Sequence, residues 1–323
     1  MSDYFAGFLY GISGRANKIR IDASSMCQLE CPVCVRWNIK NSIIGNGYLK
    51  FEDFKKFVDK HPSFKNIELS NSGEMFLNPE LKDIIRCAYI KNINLTAYNG
   101  VNLNTIDDET IECLVKYRFK CLVISIDGAN GRTYKIYRRG GNFHKVIEHI
   151  KKINCYKKIY NTEFPKLVWK FIIFGHNEHE LPIAKKIAKA LDMGFFTSFN
   201  FAPDYSPIKD KEIARREMGY TTREEMMRAT HEDWSFCLQL WTEPQINWDG
   251  KLLGCCCNMY GYFGNVFEMG LRKCLRSEKY IYTKKMLLGK KKPRKDIPCV
   301  SCLVYQRMQS ENRFLEQPKL RLG

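Results

Sequence analysis

A chain of 323 residues with 45% hydrophobic residues is long enough for one large α/β domain plus a small appendage, and it is too apolar for intrinsic disorder. Its formal net charge of +17 invites an anionic partner such as RNA. The excess is spread over pairs such as Lys55-Lys56, Lys151-Lys152 and Lys185-Lys186, with one dense run from Lys284 to Lys295, and this spread argues for solvated helix faces over a nucleic-acid surface.

In chain order, strands are predicted over Lys18 to Ala23, Asn66 to Asn71, Asn94 to Asn99, Cys121 to Asp127, Leu167 to Phe174 and Phe195 to Phe201. Helices are predicted over Phe51 to Asp59, Pro79 to Lys91, Asp107 to Tyr117, Phe143 to Asn154 and Glu178 to Leu191. In the last of these Ile183, Ile187 and Leu191 recur at helical spacing and Gly194 follows as a stop. Alternating strands and helices give βα units feeding a parallel sheet, an α/β fold. Residues 203–234 read as a charged linker with a helix around Thr222 to Ala229, and the composition then shifts to cysteine, glycine and aromatic residues. The expected organisation is a core over 1–202, a linker over 203–234, and a small domain with a basic tail over 235–323. No apolar stretch approaches the roughly 20 residues that span a bilayer. The Phe5 to Tyr10 run lacks a basic leader and a cleavage site. The expectation is a cytoplasmic protein without membrane contact, whose 14 cysteines serve metals and not disulfides.

Cys27, Cys31 and Cys34 lie in the run Cys27-Gln28-Leu29-Glu30-Cys31-Pro32-Val33-Cys34. This C-x3-C-x2-C spacing offers three thiolates to one iron-sulfur cluster and leaves the fourth iron open. A zinc knuckle is the alternative, although structural zinc usually takes four closed ligands. In barrels of βα units the site is built at the carboxyl ends of strands. The loops there are polar: Ser72-Gly73-Glu74 after the second strand, Tyr98-Asn99-Gly100 as a turn after the third, and Ser125-Ile126-Asp127 on the fourth with Ser125 and Asp127 sharing a face. The stretch from Thr133 to Phe143 holding Arg138 and Arg139 comes next, and Phe174 to Glu180 follows the fifth strand. In that last loop Asn177 reads as a helix cap, with His176 and His179 partly exposed. Asp127 and Glu243 are the acid–base candidates.

The cysteine run and these loops resemble the radical S-adenosylmethionine (radical SAM) superfamily over roughly Lys18 to Phe201. The resemblance implies a partial (β/α)6 barrel of TIM-like type and a 4Fe-4S cluster on Cys27, Cys31 and Cys34 whose open iron chelates S-adenosylmethionine (SAM). It also implies reductive cleavage of SAM to a 5′-deoxyadenosyl radical that abstracts a hydrogen atom from substrate, with an electron donor such as flavodoxin or ferredoxin. Ser72, Gly73 and Glu74 resemble the family's Gly-Gly-Glu motif for the SAM amino group. Asn99 lies in its Thr-Asn-Gly counterpart, Ser125 and Arg138 correspond to the residues for the SAM carboxylate and ribose with Asp127 beside them, and Asn177 falls in its adenine-side loop. Arg139 is a near-equal choice to Arg138. Two departures are Val33, where an aromatic residue is common, and Ser72 in place of the first glycine.

Cys237, Cys255, Cys299 and Cys302 offer four further thiolates, and Ile246 to Leu253 read as a hairpin with an Asp-Gly turn that brings Cys237 and Cys255 together. A zinc ribbon has similar ligand arithmetic. The element resembles the shortened twitch form of the SPASM domain, which implies one auxiliary 4Fe-4S cluster, since no cysteine follows Cys302. Cys256 and Cys257 compete with Cys255 for that role, Cys274 is a spare, and Cys87, Cys113, Cys121 and Cys155 read as buried apolar thiols. The first functional reading is two-electron oxidation or tailoring of a sugar- or aminocyclitol-like small molecule. The second is maturation of a peptide or protein side chain, against which counts the short segment before Cys27. RNA modification is third.

Overall fold

A computed structural model describes residues 18–34, 42–230 and 234–316; the Phe5 to Tyr10 run and part of the basic tail lie outside them. Seven strands form one parallel, open sheet in the order β6-β5-β4-β3-β2-β1-β7. They are β1 (Lys18–Ile21), β2 (Asn66–Glu68), β3 (Asn94–Val101), β4 (Cys121–Ser125), β5 (Lys166–Ile173), β6 (Gly194–Phe199) and β7 (Gln245–Ile246). The first six neighbour one another in sequence order, as expected for right-handed βα crossovers. The connecting helices are α1 (Phe51–Lys60), α2 (Leu81–Ile90), α3 (Asp108–Lys116), the pair α4 (Gly131–Tyr137) and α5 (Phe143–Ile159), and α6 (Leu181–Ala190). Asp107, Asn130 and Asn142 cap α3, α4 and α5, each side-chain oxygen accepting from backbone amides of the first turn.

Apolar alternation places the helices on one face of the sheet. On β5, Trp169, Phe171 and Ile173 enter the main core with Ile84, Ile111 and Val146 of the helices. The other face carries the cysteine loop and the polar strand ends. Trp169 is fully buried and donates its indole N–H to the Ile126 carbonyl at 2.7 Å.

The buried stripe of α6 is Leu181, Ala184 and Ala188, while Ile183 is 54% exposed. Its stop is Leu191 followed by Asp192 at φ 54°, and Gly194 instead begins β6. Tyr98 to Gly100 form no turn; they lie inside β3, where the register to β4 shifts between Ala97 and Val101. The amides of Tyr98 and Asn99 donate to the buried Glu68 carboxylate, at 2.9 Å for Tyr98, which makes the bulge tolerable. The expected linker holds two helices, α7 (Lys211–Met218) and α8 (Arg223–Thr230), whose Ala214, Met226 and Met227 pack on Phe199. Cys155 is exposed and Cys87 half-buried, whereas Cys113 and Cys121 are buried.

The carboxyl-terminal segment runs through α9 (Ser235–Thr242), β7, α10 (Val266–Met269), α11 (Leu271–Leu275), α12 (Glu278–Leu287) and α13 (Leu303–Ser310). The Asp-Gly hairpin is present: Ile246 bridges Leu252 antiparallel, and Gly250 at φ 88° makes the turn. Its first strand, β7, also pairs parallel to β1, with Arg20 opposite Gln245. Of the basic run, Lys284 lies over the rings of Trp241 and Tyr280, and Arg294 is held bidentately by Glu278. Among the described residues no helix is long and apolar enough to cross a membrane.

Candidate iron-sulfur and ligand site

The loop after β1 brings Cys27, Cys31 and Cys34 into one small cluster with Leu29, Tyr137, Ile172 and Phe174. Gly73 fixes this loop from below. At φ 73° a side chain there would place its Cβ 2.5 Å from the Met26 carbonyl oxygen, so the close approach that glycine permits is to the root of the cysteine loop. The Glu74 amide donates to the same carbonyl at 2.6 Å. Burial pushes the Cys27 thiol up to about 11 and raises Cys31 as well, with Arg138 opposing the latter. Thiolates form here only against a cation, so metal loading releases protons.

Glu74 is fully buried, and its carboxylate accepts from the Asn102 amide at 2.6 Å and the Phe76 amide at 3.2 Å. Desolvation raises its pKa to about 7 despite those two donors. A carboxylate has about four acceptor positions, so further donors can be taken. Arg138 faces the interior: Nε donates to Asp127 Oδ2 at 2.6 Å and Nη1 lies 3.7 Å from Cys31 Sγ. Arg139 is exposed. Asp127 is fully buried, and its other oxygen accepts from the Ile172 amide at 2.7 Å, so each of its oxygens is engaged and the carboxylate holds Arg138 in place. Ser125 is buried beside Asp127 at the end of β4.

Other predicted residues stand elsewhere. Asn177 neither caps with its side chain nor faces a cleft: its amide bonds Phe174 N, Ile172 O and Asp127 O, locking the end of β5. His176 is half-buried on Phe174 with Ser206 at 2.7 Å, and His179 is exposed. Asn99 donates to Asn71 at 2.7 Å, and Asn71 in turn to the Cys256 carbonyl at 3.2 Å. Ser72 donates its amide to Asp22 at 3.1 Å. Glu243 lies 3.7 Å from Arg20, whose Nε is bound to Gln245.

Asn102, Asp22 and Arg20 were not legible in the sequence. Asn102 joins Glu74 to the cysteine loop, with its amide nitrogen 3.8 Å from Cys27 Sγ; a third asparagine just past β3 was the available signal. Asp22 is fully buried with Oδ2 unpartnered, and desolvation raises its pKa from the ordinary 3.8 to about 8. Because its pKa is raised on folding, Asp22 supports the fold at low pH and loses that contribution as pH climbs from about 4 to 8. Asp22→Asn keeps the acceptor for Ser72 and does not titrate. From pH 4 to pH 8 its stability, by urea unfolding, should rise relative to the parent by on the order of 2 to 4 kcal/mol.

Cys237 on α9, Cys255 after the hairpin, and Cys299 and Cys302 around the 3-10 turn Pro298–Ser301 line one small cavity with Leu240, Asn258, Leu287 and Tyr305. Cys256 is not in that lining. Its amide donates to Gln239 at 2.7 Å, and its thiol is lowered to about 7 by the Cys257 hydrogen bond and then by Arg20. Among the described residues no three Cys, His, Asp or Glu side chains converge on a point. Four thiols lining one cavity supply the ligand number of a 4Fe-4S cluster and of a four-coordinate zinc alike.

Residues 237–303 match the SPASM family, an iron-sulfur cluster-binding domain. Among solved structures, Streptococcus suis SuiB bound to S-adenosylmethionine superposes with a TM-score of 0.67 at 15% identity, over 99% of this chain and 81% of that one. The chain shares the fold of SAM-bound SuiB, and its residues 237–303 match the SPASM iron-sulfur cluster-binding domain. SuiB bound to its precursor peptide SuiA gives a TM-score of 0.64 at 15% identity over 96% and 77%, and BtrN in complex with AdoMet and 2-DOIA gives 0.48 at 12% over 85% and 88%. No curated protein matches by sequence. The core and the SPASM segment share the sheet through β7.

Proposed function

We propose that this chain is a radical SAM enzyme that removes a hydrogen atom from a small-molecule or peptide substrate. The observation that carries the proposal is the linkage of Cys27, Glu74 and Asn102 on one side of the cysteine loop and Cys31, Arg138 and Asp127 on the other. With a 4Fe-4S cluster on Cys27, Cys31 and Cys34, bound SAM supplies on one-electron reduction a 5′-deoxyadenosyl radical.

The chain's own residues bind and orient. Glu74 accepts from the SAM ammonium, and Arg138, whose Nε is held by Asp127 and whose Nη1 lies beside Cys31, offers its remaining donors to the SAM carboxylate or ribose. Asp127 is a positioning residue: it holds the guanidinium against Cys31. Tyr137 and Phe174 keep water from the loop. Cys237, Cys255, Cys299 and Cys302 are the ligands for a second cluster. An electron carrier of flavodoxin or ferredoxin type completes the system.

For the substrate, oxidation of a sugar- or aminocyclitol-like molecule is one reading. The peptide reading has the support that SuiB, which superposes on nearly the whole chain, is bound to a precursor peptide. The test is anaerobic reconstitution, reduction and chromatographic detection of 5′-deoxyadenosine; none above the background of an unreconstituted control would sink the proposal. Glu74→Ala should weaken SAM binding by about 1 to 3 kcal/mol, since it strips a charge-assisted acceptor. In the parent, affinity by calorimetry should fall by up to about tenfold per pH unit below 7, as Glu74 takes up a proton. A flat profile would move the ammonium away from Glu74.

A further inference from the structure

On β5 the side chains of Val168, Lys170 and Ile172 face away from the helices, because Trp169, Phe171 and Ile173 fill the helix-facing core. Ile172 packs against Leu29 and Cys31. Lys170 stands two residues further from the carboxyl end of the strand, roughly 7 Å deeper below the cysteine loop, and in register beside Ser125. Its ammonium makes no hydrogen bond and no ion pair among the described residues.

The surroundings do not compensate that charge. Arg138 and Arg223 repel it, and the carboxylate that attracts it, Asp127, is already occupied by Arg138 at 2.6 Å and by the Ile172 amide at 2.7 Å. Burial, and after it Arg138, lower the lysine's pKa. An ammonium removed from water without a counter-charge is unfavourable unless something supplies one. Yet Lys170 is only half-buried, so a molecule entering the barrel reaches it. An ammonium without a partner among the described residues, beside Arg138 and a carboxylate already engaged, calls for an anion.

We infer that Lys170 anchors a carboxylate that a ligand brings into the barrel. This rests on the reading that the space below the cysteine loop is the substrate chamber. The carboxylate belongs either to the substrate or to the methionine part of SAM, and the two sources separate by experiment. Pyridoxal 5′-phosphate condenses with a lysine amine with loss of water, and borohydride reduces the resulting imine, leaving a stable tag. On the full-length reconstituted protein at neutral pH, peptide mass spectrometry should find Lys170 tagged ahead of the exposed Lys55 and Lys291. Millimolar citrate should lower that tagging by about fivefold while leaving the exposed lysines unchanged.

Citrate protection with SAM affinity within about twofold of the parent in Lys170→Met assigns the carboxylate to the substrate. A loss of SAM affinity of about tenfold or more in that variant, restored by Lys170→Arg, assigns it to SAM. Tagging no faster than at Lys55, without citrate protection and with unchanged SAM affinity in Lys170→Met, overturns the inference. Tagging requires neither cluster nor SAM, so a chain unable to cleave SAM would refute the proposed enzyme and leave this result standing.

Discussion

Replacing Cys27, Cys31 and Cys34 together by alanine should lower the iron of the anaerobically reconstituted protein from about eight to about four atoms per chain and abolish 5′-deoxyadenosine formation. The three thiols share one small cluster with Leu29, Tyr137, Ile172 and Phe174, separate from the main core that packs the sheet against its helices. Their loss therefore removes ligands without opening that core, and the variant should remain folded. The remaining four irons follow from the second thiol set, which lines its own cavity beside Tyr305 and Leu287. Iron and sulfide assays beside circular dichroism decide the matter. Iron near eight in the folded variant would mean that the triad holds none; zinc in the second site, with iron near four in the parent, would remove the auxiliary cluster.

The order of elements in the barrel was legible because Val, Ile and Phe alternate along strands and recur at helical spacing between them. β7 was not, since Gln245 and Ile246 are only two residues and their pairing with β1 is decided more than 200 positions away. The cysteines announce themselves by spacing, a local property. Glu68 does not: its carboxylate serves Ser70, Thr96 and the bulged amides of Tyr98 and Asn99, and that role exists only once β2 and β3 lie side by side. Asn177 shows the opposite failure. Its place in a loop after β5 suggested a ligand contact, but the loop folds back and takes all of its amide for the backbone. Lys170 carries no sequence signal, because a lysine in an apolar strand is ordinary until the fold sets Arg138 and Arg223 near it.

Cys299 and Cys302 replaced by alanine should give the complementary phenotype. Substrate-dependent 5′-deoxyadenosine should persist, while formation of oxidised product falls by on the order of a hundredfold or more. Glu74, Arg138 and the triad all lie at the carboxyl ends of the barrel strands, and none of them lines the cavity of the second thiol set. Hydrogen abstraction therefore keeps its whole apparatus. A site closed by four thiolates leaves no position for substrate, so its contribution is to redox balance and not to binding. Cys299 sits at the start of the short turn before α13 and is pushed up to about 12 by burial, so an apolar replacement fits the unloaded site and folding can be verified by urea titration before kinetics. Normal oxidised product at the normal rate in the folded variant would make the second cluster structural. In that case the electron of the substrate radical leaves by an acceptor other than the second cluster, and the oxidation reading loses its main support.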